Sequence, residues 1–169
     1  MAEQAAQLFA TVIALPEAKL QTDAVLSSVY IFTSFASDEE LLQFAILQDR
    51  TIVLTPKGFA PSPEVQAGGG RNNFRFEGTI DVKIWNRLYI DQAGRDGQWL
   101  SNATLGVAAL IHSVVDSLEQ YYPTDSSGNY YFTEPMRLLP PGVVFPPKRV
   151  GEWGVVTLSY SIHWQESLT

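Results

Sequence analysis

The chain has 169 residues, no cysteine, 46% hydrophobic and 17% charged residues, and a formal net charge of −7. That length predicts one domain, residues 1–169, able to bury roughly 70% of its unfolded surface. The composition excludes disorder, a disulfide scaffold, a thiolate metal site and a cysteine nucleophile. Eighteen acids against eleven bases argue against a surface that grips nucleic acid, which needs a basic footprint.

The first fifteen residues carry one charge, Glu3, and no basic region, so they do not read as a secretory leader. Leu8 to Leu15 is too short to cross a bilayer, which takes about 20 residues. Ala5, Leu8, Phe9, Val12 and Leu15 instead share one helical face, and Pro16 is expected to stop that helix. No other stretch reads as membrane-spanning. Ala24–Phe32 is rich in β-branched and aromatic residues and predicts a strand. Ser37 followed by Glu40 fits a capping box, with a short helix over Leu41–Leu47. Thr51–Thr55 suits a buried strand. From Pro56 to Asn73, prolines and the triple Gly68-Gly69-Gly70 predict a long flexible loop.

Phe74 to Ile90 alternates without a break. One face holds Phe74, Phe76, Gly78, Ile80, Val82, Ile84, Asn86, Leu88 and Ile90. The other holds Arg75, Glu77, Thr79, Asp81, Lys83, Trp85, Arg87 and Tyr89. Period two over this span predicts one strand about 56 Å long, part of it projecting beyond the core, with a bulge allowed near Gly78. After a turn at Asp91–Gly97, Leu100, Thr104, Val107, Ala108, Ile111, Val114, Val115, Leu118 and Tyr122 predict a long helix capped by Ser101 or Asn102 and stopped by Pro123. Tyr130–Leu138 suits an edge strand because of Pro135. Residues 139–149, with four prolines, predict an extended arm. Trp153–Gln165 alternates again and is the natural antiparallel partner of the long strand. The expected fold is α+β: a mainly antiparallel sheet with one long helix packed on one face, an N-terminal helix, and extended loops or a hairpin.

Residues that could carry chemistry have bland explanations. His112 falls on a helix surface and His163 on the polar face of the last strand. No metalloprotease, nucleophile-elbow, phosphate-loop or dinucleotide motif occurs. The triple glycine leads into Arg71-Asn72-Asn73 and not a lysine-capped helix. Asp91–Asn102 lacks the acids of a calcium loop. Asn102-Ala103-Thr104 matches a glycosylation sequon by chance. Glu39 and Glu40 favour a helix N-terminus, while Glu77, Asp81, Lys83 and Arg87 can satisfy cross-strand neighbours. The chain is therefore not read as an enzyme, and no cofactor or metal is expected. Aromatic side chains with arginine on a polar strand face point to contacts between proteins, with Arg75, Glu77, Trp85, Arg87 and Tyr89 as the candidate interface. A second reading is a small-ligand module whose apolar pocket, between helix and sheet, is lined by Trp99, Tyr121, Tyr122, Trp153 and Trp164.

The order of N-terminal helix, strand, flexible loop, long strand through Phe76-Glu77-Gly78-Thr79-Ile80-Asp81-Val82-Lys83-Ile84-Trp85, helix and closing strands resembles the tail terminators and related neck proteins of tailed bacteriophages. The resemblance covers most of the chain; the proline-rich 130–150 segment departs from it. It implies a structural virion protein, assembled in the host cytoplasm, that forms a homo-hexameric ring capping the tail tube. Its partners would be further copies of itself, the tail tube protein and a neck or head-completion protein. Six copies at −7 each would give a negative conduit through which DNA passes without specific binding. Ring closure requires heterologous contacts between copies.

Overall fold

A computed structural model describes residues 2–44, 48–61, 73–87, 106–144 and 148–167. Among the described residues, three helices, α1 (Ala2–Gln21), α2 (Asp38–Phe44) and α3 (Val107–Leu118), accompany six strands. These are β1 (Tyr30–Thr33), β2 (Arg50–Pro61), β3 (Asn73–Arg87), β4 (Arg137–Leu138), β5 (Lys148–Val150) and β6 (Trp153–Ser167). The strands form one sheet in the order β1-β2-β3-β6-β4, with β5 also on β6; β1 runs parallel to β2, and all other pairs are antiparallel. This is the expected α+β architecture.

The alternation of β3 and β6 fixes which side of the sheet is which. Their pairing runs from Asn73↔Ser167 to Arg87↔Trp153 without a register shift. Ile80, Val82 and Ile84 of β3 and Val156, Leu158, Tyr160, Ile162 and Trp164 of β6 therefore share one face, and all are buried. Val12 and Leu20 of α1 and Val107, Leu110, Ile111, Val114 and Leu118 of α3 close the core over that face. Phe132 and Met136, from the segment between α3 and β4, complete it. Ser117 Oγ donates to Asp23 Oδ2 at 2.9 Å, tying α3 to the end of α1.

Several expectations need correction. Pro16 does not stop α1, which continues to Gln21. A proline inside a helix forfeits one backbone bond and crowds the preceding turn. Burial of Leu20, and Thr33 Oγ1 donating to Glu17 Oε2 at 2.6 Å, hold the last turn in place. The strand expected from Ala24 begins only at Tyr30, because Asp23–Val29 folds into successive tight turns: Leu26 N bonds Asp23 O, Ser27 N bonds Ala24 O and Val29 N bonds Leu26 O. Its apolar residues Leu26 and Val29 reach the core from turns. Helix α3 starts at Val107 after an extended Gly106, so neither Ser101 nor Asn102 caps it; both lie outside the described residues. It also ends at Leu118, ahead of Pro123, where the chain becomes extended at Glu119 and reverses at Gln120 (φ 62°). Of the strand expected over Tyr130–Leu138, Arg137 and Leu138 alone form a ladder with β6, and Thr133 N adds one bond to His163 O of that strand.

The loop expected from Pro56 to Asn73 is strand as far as Pro61. Between Lys57↔Thr79 and Ala60↔Glu77, the register shifts by one residue around Gly58, whose φ of 59° suits a bulge built on glycine. The bulge sets Phe59 on the core face, directly over Gly78: a Cβ placed there would lie 1.9 Å from Phe59 Cδ1. Residues 62–72, including the triple glycine, lie outside the described residues. Within the expected arm, Leu139 N bonds Ser159 O beside β6, and Lys148 and Arg149 belong to β5.

The long strand is a single extended ribbon, as its alternation demands, but it does not project freely. β2 and β6 take both of its edges, so its backbone has no free hydrogen-bonding side over Phe76–Asn86. Residues 88–90 lie outside the described residues.

Candidate functional site: the outer face of the sheet

Odd-numbered residues of β3 and β6 form the face turned away from α1 and α3. Its character changes along the strands. Near the Arg87 end lies a second apolar cluster, in which Trp85, Val53 and Val155 are buried under Leu41 of α2, with Phe32, Ala36, Val150 and Trp153 around them. Trp85 and Trp153 meet edge to face, with centroids 6.3 Å apart. α2 is seated here by its own sequence. Ser37 N donates to Glu40 Oε2 at 2.8 Å and Glu40 N to Ser37 Oγ at 3.2 Å, the reciprocal capping box read from the sequence.

Next along the face, Lys83 Nζ donates to Asp38 Oδ1 at 2.6 Å, and Lys148 Nζ lies 3.6 Å from Asp38 Oδ2. Burial opposes ionisation of Asp38, but the hydrogen bond and charge of Lys83, helped by Lys148, prevail and hold its carboxyl below the ordinary value. Then comes Asp81, 4% exposed, which accepts from Ser159 Oγ at 2.6 Å and pairs with Lys57. Beyond it the face is polar and partly open: Thr79, Glu77, Ser161 and His163 are half-buried, and Glu77 stands opposite His163 in register.

The candidate interface residues fare differently. Trp85 is fully buried beneath its own α2, which corrects its expected place on an open face: the apolar edge of that face is covered by the chain itself. Arg75 is half-buried and binds Glu134 Oε1 at 2.8 Å. Arg87 is exposed but forks between Asp49 at 3.3 Å and Glu152 at 2.9 Å, and those hydrogen bonds, the one to Glu152 foremost, push its pKa up. Glu77 has no ion-pair partner among the described residues and remains available. Tyr89 lies outside them. Thus the four described residues are not brought together as one open surface.

The aromatics of the ligand reading are also dispersed. Trp164 stacks on Phe76 (5.3 Å) and meets Phe59 edge to face on the core side, whereas Trp153 is on the opposite side with Trp85. Tyr121 packs edge to face on Phe132, Tyr122 stacks on Tyr130, and Trp99 lies outside the described residues. His112 Nδ1 sits 2.8 Å from Asp116 on the exposed side of α3. Among the described residues, no three histidines or carboxylates gather as a metal would require, and no helix is long and apolar enough to cross a membrane.

Periodicity alone missed the pieces that cover this face. Leu41, Asp38 and Lys148 come from segments distant in sequence, and only the Ser37–Glu40 spacing signalled that α2 exists. No known protein family matches the chain, and no curated protein matches it in sequence.

Proposed function

We propose that the chain is a non-enzymatic building block: a structural protein of the kind its sequence order resembles, the phage tail terminators, closing into a ring on a tail tube. The supporting observation is the proportion of the sheet to its cover. β3 and β6 stay paired over fifteen residues, about 50 Å of ribbon. On the outer face, the seven residues of α2 span only about 10 Å of that length.

What the ribbon offers a neighbour is its open distal face, around Glu77, Thr79, Ser161 and His163, and the outer edge of β2. Among the described residues β1 pairs β2 only through Leu54, so Thr55–Pro61 has no strand on its outer side. That edge is guarded against indiscriminate pairing. Leu54 O accepts from Ser34 N and so points outward, and Pro56, two residues on, points the same way without an N–H to offer. Lys57 and the Gly58 bulge add charge and twist. Side chains, more than backbone, would then set the contact between copies. Electron microscopy of the purified protein, alone and with tail tubes, tests the reading. Closed rings, free or on tube ends, are expected; monomers that leave tube ends bare would overturn it.

A further inference from the structure

The apolar cluster under α2 has the make-up of a peptide-docking groove already filled by a segment of its own chain. Its floor is Trp85, Val53 and Val155, and two cations, Lys83 and Lys148, stand at one side. Into it α2 inserts one leucine, Leu41, 2% exposed, while Asp38, one helical turn earlier, satisfies the lysines. Four of its other residues look outward: Glu39, Glu40, Leu42 and Gln43 are exposed. Seven residues are too few for a helix to hold itself together in water, so these two anchors and the cap decide whether α2 stays.

The fit is incomplete. Trp85 Nε1 is buried and finds no acceptor among the described residues, although an indole N–H taken from water normally has one. A ligand that reproduced the carboxylate and leucine of α2 and also presented an oxygen to Trp85 would fill the groove better than α2 does.

We infer that the Trp85 groove is a docking site for a helical segment of a partner protein, one carrying a carboxylate one turn before a leucine, and that α2 occupies it as a built-in competitor. Charge complementarity selects this partner: two lysines beside an apolar floor suit an acidic amphipathic helix, the chemistry α2 itself displays. The inference is independent of the ring reading and stands for a monomer as well.

The test uses the full chain and a labelled peptide of its own residues 37–44, Ser-Asp-Glu-Glu-Leu-Leu-Gln-Phe, followed by fluorescence anisotropy. Asp38→Asn with Leu41→Ala loosens the resident helix, so the peptide is expected to bind this variant at least about tenfold more tightly than the unaltered chain. Adding Lys83→Ala should abolish that gain, and a peptide with alanine in place of Leu41 should not compete. Equal affinities for the two chains, or no binding to either at millimolar peptide, would overturn the inference. A readout on the unaltered chain covers the case of a variant that does not fold. Saturating peptide should speed hydrogen exchange of the α2 amides while leaving β3 and β6 unchanged, and unaltered exchange in α2 would contradict displacement.

Discussion

Gly78 shows how one absent methyl group can organise a sheet end. Phe59 lies where a Cβ would be, and its ring is held edge to face against Trp164 at 5.2 Å. Gly78→Ala should therefore destabilise the fold by about 1–3 kcal/mol in urea unfolding, since the ring must move within packed surroundings. In a Phe59→Ala background the cost should shrink, because the two sites share one space; an equal cost in both would show that Phe59 does not rest there. A glycine in an alternating strand, noted as a place for a bulge, was legible in the sequence. That the bulge sits on the neighbouring strand, at Gly58, was not, because register depends on which strand pairs alongside. Asp38 sets a pH dependence at the same scale. Its carboxyl is held below its ordinary value, so its contribution is complete at pH above about 4 and is lost as pH falls through the folded-state value. Acid titration of the unfolding free energy should accordingly decline less steeply below pH of about 4 in Asp38→Asn than in the unaltered chain; identical slopes would remove Asp38 from the account.

Among the elements, α2 is the one whose presence depends most on local chemistry. Ser37→Ala removes half of the reciprocal cap, a loss of about 0.5–2 kcal/mol of helix stability. Hydrogen exchange should then quicken in Glu40–Phe44 and stay slow in β3 and β6, since sub-global opening does not involve the sheet. Uniform acceleration throughout would mean that α2 is integral to the global fold. Elements were readable where one face alternates or recurs regularly: among the described residues, β3, β6 and α3 bury most of the side chains their patterns place inward, Ala108 of α3 being an exposed exception. They were misread where tertiary packing overrides a local stop or start. Pro16 is carried through because Leu20 is wanted in the core, and Leu26 and Val29 are buried by turns that imitate the composition of a strand. Trp85 was the instructive case. Its strand position was right, yet its exposure depended on a helix about forty residues upstream folding over it, which no period in the strand records.

At the scale of the molecule, the described residues place two helices on one face of a long sheet and one short helix on the other, an uneven cover. The core side is closed along Ile80–Ile84 and Val156–Trp164, while the outer face passes from apolar at Trp85 to polar and open at Glu77 and His163. Arg87 ties Asp49 and Glu152 together at the closed end, and the ring proposed above would use the other end to meet a second copy. Heterologous contacts of this kind, between different patches of identical chains, close into rings when the rotation between neighbours divides a full turn. Native mass spectrometry of the purified chain tests that claim most directly. The account predicts a discrete species several times the 18.7 kDa subunit, six-fold if the resemblance extends to stoichiometry, and its loss on reversing charge at Glu77 with Glu77→Lys. A single 18.7 kDa species at every concentration, in the presence and absence of tail tubes, would contradict it.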